Sequence, residues 1–168
     1  ATFAVVDRGG VSSVSSGTNP DLTVGYAAIQ PNAGSAAPSG VAIFGFRQNN
    51  VLVSEAGVPA SQAIRSGRIY AEVNGPVNTG LAIANPNNQP VTVSFYFTNS
   101  SGDFGNDTTT IPAYGQIAAF LDQKPFNGPA ALSGSFTYTA SAPVAVIALR
   151  GLTNEREEFL ITTLPVAD

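Results

Sequence analysis

The chain has 168 residues, of which 43% are hydrophobic and only 11% charged, and it contains no histidine, cysteine, tryptophan or methionine. A net charge of −4 with few cations argues against nucleic-acid binding, and no apolar stretch approaches the ~18 residues of a membrane span. Without histidine or cysteine, most nucleophilic, general-base and zinc chemistry is excluded, so we expect a non-enzymatic protein that needs no cofactor.

Short runs of alternating apolar and polar residues recur along the chain and predict β-strands. The clearest spans residues 91–98, where Val91, Val93, Phe95 and Phe97 share one face. In chain order, the predicted strands are 2–6, 22–30, 41–48, 51–54, 68–74, 79–85, 90–98, 108–111, 116–120, 132–140, 144–150 and 158–163.

Clusters of Gly, Pro and Asn separate these runs at short spacing, as in proteins built from antiparallel strands. We predict an all-β fold, an antiparallel β-sandwich of immunoglobulin-like or jelly-roll-like type with about ten strands. Almost no helix is expected beyond a single turn near residues 120–123. Two runs, 41–44 and 144–149, are apolar on both faces, so each is either a central strand or a strand with one face against another molecule.

The N-terminus is organised differently from the rest of the chain. Thr2, Phe3, Ala4, Val5 and Val6 form a short predicted strand, and a segment rich in Gly and Ser follows it as far as residue 21. We therefore divide the chain into a strand and tether, 1–21, and a β-sandwich domain, 22–168. A tether of about fifteen residues spans on the order of 45 Å, so the strand could pair with its own sheet or with a neighbour's.

Three segments, 51–60, 78–86 and 160–166, resemble a β-sandwich domain of unknown function. That domain occurs in secreted and surface proteins of environmental bacteria. The resemblance implies an extracellular or cell-surface setting with repetition or assembly, as in a pilus-like or fibril-like subunit, and it implies no reaction. The first residue, Ala1, fits either a chain whose leader was removed or an excised domain.

Candidate catalytic and metal-binding residues are few. Glu55 and Glu72 are the best pair of carboxylates for glycoside hydrolysis, but ion pairing with nearby arginines is the favoured interpretation. Lys124 lies in a turn without a neighbouring serine motif. One predicted loop contains Asp103, Asn106 and Asp107, whose oxygens could hold calcium, yet the spacing lacks the calcium-loop pattern and predicts an ordinary polar turn.

Sugar recognition commonly uses exposed aromatic side chains. We predict that Tyr96 and Tyr138 lie opposite the apolar faces of their strands, where they could contact a glycan, although a pair of tyrosines on a solvated sheet is the simpler explanation. Asn99 and Asn106 begin glycosylation sequons, and both are candidate sites of modification.

Taken together, these features predict a structural subunit of an extracellular bacterial filament. Identical subunits would join head-to-tail, with the N-terminal strand of one pairing with the sandwich of the next. Phe3, Val5 and Val6 would be the anchors, and Gly9 and Gly10 the hinge. The alternative is a carbohydrate-binding or adhesion module of a larger secreted protein, with glycans as its partners.

Overall fold

A computed structural model describes residues 2–14 and 24–168, and within these ranges the chain forms nine strands and no helix. The prediction of an all-β antiparallel fold is confirmed, with nine strands in place of about ten. Near residue 120 the chain makes a hydrogen-bonded turn, with the Gln123 N–H donating to the Phe120 carbonyl at 3.0 Å. The strands are β1 (Val41–Gln48), β2 (Val51–Pro59), β3 (Ile64–Asn74), β4 (Val77–Ala84), β5 (Val91–Asn99), β6 (Gly102–Ile111), β7 (Gln116–Phe120), β8 (Ala131–Thr153) and β9 (Phe159–Leu164).

Seven strands form one curled antiparallel sheet around the long strand β8. The first half of β8, residues 131–140, pairs with β3 on one edge and β5 on the other, and β6 lies beyond β5. The second half, residues 144–153, pairs with β4 and β9, and β7 lies beyond β4. Because β8 runs through both halves, the sheet curls into a half-barrel with the core inside.

Two predicted strands, 132–140 and 144–150, are joined in β8. The segment Ser141-Ala142-Pro143 between them was expected to reverse the chain. A proline holds φ near −65°, which extended backbone accommodates, and its missing N–H falls where β8 changes partners. The strand therefore continues through Pro143, which lowers the strand count.

The core lies between the two halves of the curled sheet. As predicted, β5 buries one face, with Val91, Val93, Phe95 and Phe97 at most 2% exposed. Aromatic rings fill the centre: Phe136 lies 5.3 Å from Phe95 and 5.5 Å from Phe97, measured between ring centroids. Burying each such ring contributes roughly 1.5–3 kcal/mol, so this cluster is a principal source of stability.

Strands β1 and β2 form a separate two-stranded hairpin. Of the two runs apolar on both faces, 144–149 is a central strand, since β4 and β9 flank it. The run 41–44 is not central, because every residue in it is exposed.

Two predicted strands near the N-terminus are absent from the described residues of this single chain. Residues 2–6 and 24–30 are extended or irregular without a ladder partner. Residues 22 and 23 of the second prediction lie outside the described ranges. A side chain attaches the second segment, because the Tyr26 hydroxyl donates to the Asn85 carbonyl at 3.3 Å.

Candidate assembly surface

The N-terminal segment presents apolar side chains to solvent. Phe3 is 49% exposed, Val5 39% and Val6 77%. In most proteins, an apolar strand is buried and paired at the same time. When its side chains pack against a sheet, its backbone also forms ladder hydrogen bonds with a neighbouring strand. Residues 2–6 have no ladder partner among the described residues, and their apolar side chains are only partly covered.

The bend that follows this segment lies slightly before the predicted hinge. The turn is at Asp7 and Arg8, where Arg8 has φ of 57°, and the Gly9 N–H closes it on the Val6 carbonyl at 2.8 Å. A Cβ on Gly9 would lie 2.7 Å from the Val6 side chain, so a larger residue there would displace that side chain. Gly10 has open space around it.

The hairpin β1–β2 presents a second apolar surface. Val41, Ile43 and Phe44 on β1 are 65%, 68% and 56% exposed, and Val51 at the start of β2 is 61% exposed. Strand β1 is eight residues long and carries one charge, Arg47, close to its end. Long, uncharged edge strands readily pair with another chain, so β1 is the least protected edge described here.

Strand β2 and the end of β1 attach the hairpin to the body. The Ile161 N–H of β9 donates to the Ser54 hydroxyl at 2.9 Å, and Phe46 meets Phe159 edge-on at 5.7 Å. Ala56 and Val58 of β2 are buried. The body therefore covers one side of β2 and touches the end of β1 at Phe46, whereas the first half of β1, residues 41–44, is exposed.

The other edges of the sheet have protective features. Strand β6 carries Asp103 and Asp107 and an irregular register beside Gly105, whose φ is 65°. Along β3, the buried Thr79 hydroxyl accepts from the Glu72 N–H at 3.0 Å, and Ala167 exchanges backbone hydrogen bonds with Arg68. Strand β7 has only five residues. Charge, bulges and short length all discourage pairing between edges.

The two candidate glycan-contact tyrosines separate in the structure. Tyr96 lies on the outer face of β5 and lines a shallow depression of about 340 Å³. The other lining residues are Ser94, Phe95, Asn106, Asp107, Thr108 and Thr139. Tyr138 is 1% exposed, so its prediction as a surface contact is wrong. Side chains alternate along a strand, and Tyr138 is two residues from Phe136, which places both on the core face.

The candidate catalytic carboxylates lie in different sheets. Glu72 on β3 accepts from the Arg150 guanidinium at 3.0 Å, which confirms the ion pair that we favoured for it. Glu55 is exposed on β2, opposite Gly45. Lys124 lies in the turn region between β7 and β8 and is exposed. Among the described residues, Glu72 is the only carboxylate that forms an ion pair with Arg150.

The predicted polar loop is strand β6. Asp103 accepts a hydrogen bond from the Thr98 hydroxyl at 2.7 Å, and the Asp107 carboxylate accepts from the Thr108 N–H at 2.7 Å. Within residues 2–14 and 24–168, no three acidic side chains gather as a metal site would require. The sequon residues Asn99 and Asn106 are both exposed on β5 and β6.

The fold assigns the chain to all-β proteins built on a curled antiparallel sheet. A solved structure with this architecture is the "Crystal Structure of Thermotoga maritima 1070", with a TM-score of 0.50 and 15% sequence identity over 61% of this chain and 94% of that chain. At this identity the likeness shows the fold alone. No protein-family model matches the sequence, and no curated protein matches it. Among the described residues, no helix has the length and apolar character to cross a membrane.

The exposure of β1 is the feature that sequence reasoning anticipated least. The apolar character of 41–44 indicated either a central strand or a face against another molecule, and only the structure separates the two. A signal was present in the sequence: residues 41–47 closely match residues 144–150, so the chain contains one strand pattern twice.

Proposed function

We propose that this protein is a structural subunit of an extracellular bacterial filament, a homopolymer whose β-sandwich subunits join head-to-tail. The N-terminal segment Thr2, Phe3, Ala4, Val5 and Val6 of one subunit pairs with a sheet of the next. The carrying observation is that this strand-forming segment is exposed and unpaired within the described chain.

Pairing of the N-terminal segment contributes substantial binding free energy, but by itself it does not hold a filament together. Burying Phe3 and Val5 contributes roughly 1.5–3 kcal/mol each. About four backbone hydrogen bonds add a net ~1 kcal/mol each. Association costs on the order of 4–15 kcal/mol, so a lasting filament needs further contact area. The exposed side chains of β1 offer that area.

Head-to-tail contacts determine the shape of the assembly. A segment that leaves one subunit and binds a different surface of the next makes a heterologous contact, and such contacts grow into open fibres when the rotation does not close a ring. The low charge of the chain favours close packing of neutral surfaces, and the resemblance to domains of secreted proteins supports an extracellular setting.

Negative-stain electron microscopy tests the proposal directly. The intact chain should form long uniform fibrils, and a variant lacking residues 1–8 should remain monomeric and still unfold in one cooperative thermal transition. The matched control replaces Ser12 and Ser13 by alanine in the tether and should still assemble. Monodisperse particles from the intact chain, or fibrils from the truncated one, would refute strand-mediated assembly.

The depression beside Tyr96 supports a second candidate, a carbohydrate-binding or adhesion module of a larger secreted protein. A tyrosine ring among Ser94, Asn106 and Asp107 combines a stacking face with hydrogen-bonding groups. In that case the chain would be retained on a polysaccharide column, and Tyr96→Ala would abolish retention. Tyr70→Ala, at an exposed tyrosine on β3, is the control and should leave it unchanged. Equal retention of both variants would count against this site.

A further inference from the structure

We infer that strand β1 is the acceptor edge, and that residues 2–6 of a second copy of the chain add to it as a third strand. The inference rests on the proposed function and deepens it, because it identifies the surface that the N-terminal segment recognises. Three observations carry it: a repeated strand, an empty position beside one copy of that strand, and a sequence that fits the position.

The sequence of β1 repeats that of the second half of β8. Residues 41–47 read Val-Ala-Ile-Phe-Gly-Phe-Arg, and residues 144–150 read Val-Ala-Val-Ile-Ala-Leu-Arg. The valine, alanine and arginine are identical, and the other four pairs are uncharged residues of small or apolar type. Each strand is also followed by an antiparallel partner, β2 in the first case and β9 in the second.

The two copies differ in what lies on their other edge. The second half of β8 pairs there with β4, whereas β1 pairs only with β2 among the described residues. The difference also shows in burial: Val144 and Val146 are 0% and 3% exposed, and their counterparts Val41 and Ile43 are 65% and 68% exposed. Within residues 2–14 and 24–168, strand β1 therefore has an unpaired edge where its copy holds a β4-type strand.

The N-terminal segment has the pattern of β4. Residues 3–6 read Phe-Ala-Val-Val, and residues 81–84 of β4 read Leu-Ala-Ile-Ala. In the β4–β8 pair, Leu81, Ala82 and Ile83 lie opposite Ala148, Ile147 and Val146. Transferred to β1, this antiparallel register sets Phe3 opposite Gly45, Ala4 opposite Phe44 and Val5 opposite Ile43.

Side-chain sizes are complementary in this register. The Phe3 ring meets a glycine, the Ala4 methyl group meets the Phe44 ring, and two β-branched side chains, Val5 and Ile43, face each other. Directly opposed pairs of apolar side chains, such as Val5 with Ile43, stabilise a sheet. The segment and the edge are both unpaired among the residues that the structure describes. A second copy pairs with both and leaves one free segment and one free edge for the next copy.

Cysteine cross-linking tests both the register and the partner, because the chain contains no native cysteine. Directly opposed residues have Cβ atoms about 4.5–5.5 Å apart, close enough for a disulfide after small shifts. One protein carries Val5→Cys and the other Ile43→Cys, and the two are mixed under mild oxidation. The matched control replaces Phe44 by cysteine, since its side chain lies on the opposite face from Ile43. All three positions are exposed, so the variants should fold.

We expect the Val5→Cys and Ile43→Cys mixture to give cross-linked heterodimer at roughly tenfold higher yield than the control mixture, a preference of about 1.4 kcal/mol. A chain carrying both substitutions should give a ladder of oligomers. A cross-linked monomer from that chain would show pairing within one molecule and would overturn exchange. Equal yields from both mixtures would overturn the register and the acceptor edge. If fibrils of the intact chain still depend on residues 1–8 in that case, the proposed function stands with a different acceptor.

Discussion

Asn85 is the most heavily hydrogen-bonded side chain of the described structure, and it is fully buried at the end of β4. Its amide nitrogen donates to the carbonyls of Gln89 at 2.8 Å and Pro112 at 2.9 Å, and its oxygen accepts from the Asn87 N–H at 2.9 Å. One side chain thus joins the β4–β5 connection, at Asn87 and Gln89, to the start of the β6–β7 connection at Pro112. Buried carbonyls without donors are costly, so this position determines the shape of the loop.

Replacing Asn85 by alanine should lower the free energy of unfolding by about 3 kcal/mol, because at least two buried carbonyls lose their donors. Urea denaturation followed by circular dichroism measures this change. Asn88→Ala, at an exposed position in the same loop, is the control and should stay within ~0.5 kcal/mol of the parent. A similar small effect at Asn85 would mean that water replaces its hydrogen bonds.

Tyr138, unlike Asn85, buries a polar group that forms no hydrogen bond within the described residues. Its ring packs beside Gly67, where a Cβ would lie 2.8 Å from the ring, and its hydroxyl has no hydrogen-bond partner among the described residues. Burial, with a smaller contribution from the Asp168 carboxylate, raises the pKa of Tyr138 from 10.0 to about 12. The folded state therefore holds the phenol proton more tightly than the unfolded chain does.

This difference sets an alkaline limit to stability. Below pH 10 both states keep the proton, and between pH 10 and about 12 only the unfolded chain loses it, so stability falls as the pH rises through that interval. Tyr138→Phe should remove this component of the decline and be neutral or up to ~1 kcal/mol stabilising at pH 7. Urea denaturation from pH 7 to 11.5 measures both effects, and Tyr114→Phe, at an exposed tyrosine, is the control. An unchanged pH profile would contradict the assignment.

At the scale of elements, strand β8 organises the fold. It is 23 residues long and pairs with β3, β4, β5 and β9, so it connects the two halves of the curled sheet. Such a strand must pass close to its neighbours where the sheet curls. Gly134 marks the closest approach, because a Cβ there would lie 1.9 Å from the Thr98 carbonyl oxygen of β5.

Gly134→Ala should therefore destabilise the protein by about 3 kcal/mol or more, since backbone on β5 or β8 must move to admit the methyl group. The adjacent Ser133→Ala places a similar group on an exposed side of the same strand and should change stability by less than ~0.5 kcal/mol. Thermal unfolding of the pair gives the comparison. Equal midpoints would show that the two strands separate easily at this point.

At the scale of the whole molecule, the continuous hydrophobic core belongs to the part of the chain from β3 onward. The buried residues of the main cluster run from Ile69 to Ala148, and the partly buried residues packed against them from Ile64 to Val166. The hairpin β1–β2 adds the buried side chains of Ala56 and Val58. Residues 64–168 make up about five eighths of the chain. This part has the elements of an independent folding unit.

A fragment of residues 61–168 should consequently fold on its own. Starting at Ser61 retains its hydroxyl hydrogen bond to the Val146 carbonyl, at 3.1 Å. We expect one cooperative unfolding transition, with a free energy lower than that of the full chain by no more than about 3 kcal/mol, for the lost burial on β2. Circular dichroism and urea denaturation provide the measurement. A disordered fragment would show that the hairpin is part of the core.

The sequence by itself determined the type of structure. Alternation in β5 predicted which face is buried, because side chains alternate along any strand regardless of its partners. Turn residues located most strand ends for the same local reason. The same alternation, counted from Phe136, places Tyr138 in the core. The predicted position of Tyr138 opposite the apolar face therefore conflicts with the alternation of its own strand.

Only the tertiary structure decided how the strands are used. Residues 41–44 and 144–149 have nearly the same pattern, yet one strand is an exposed edge and the other is central, because β4 is present beside only one of them. The ion pair of Glu72 with Arg150 likewise joins residues far apart in sequence. Pairing partners are set by long-range packing, which a local pattern does not encode. The open edge of β1 and the unpaired segment at residues 2–6, on which assembly depends, therefore become visible only in the folded chain.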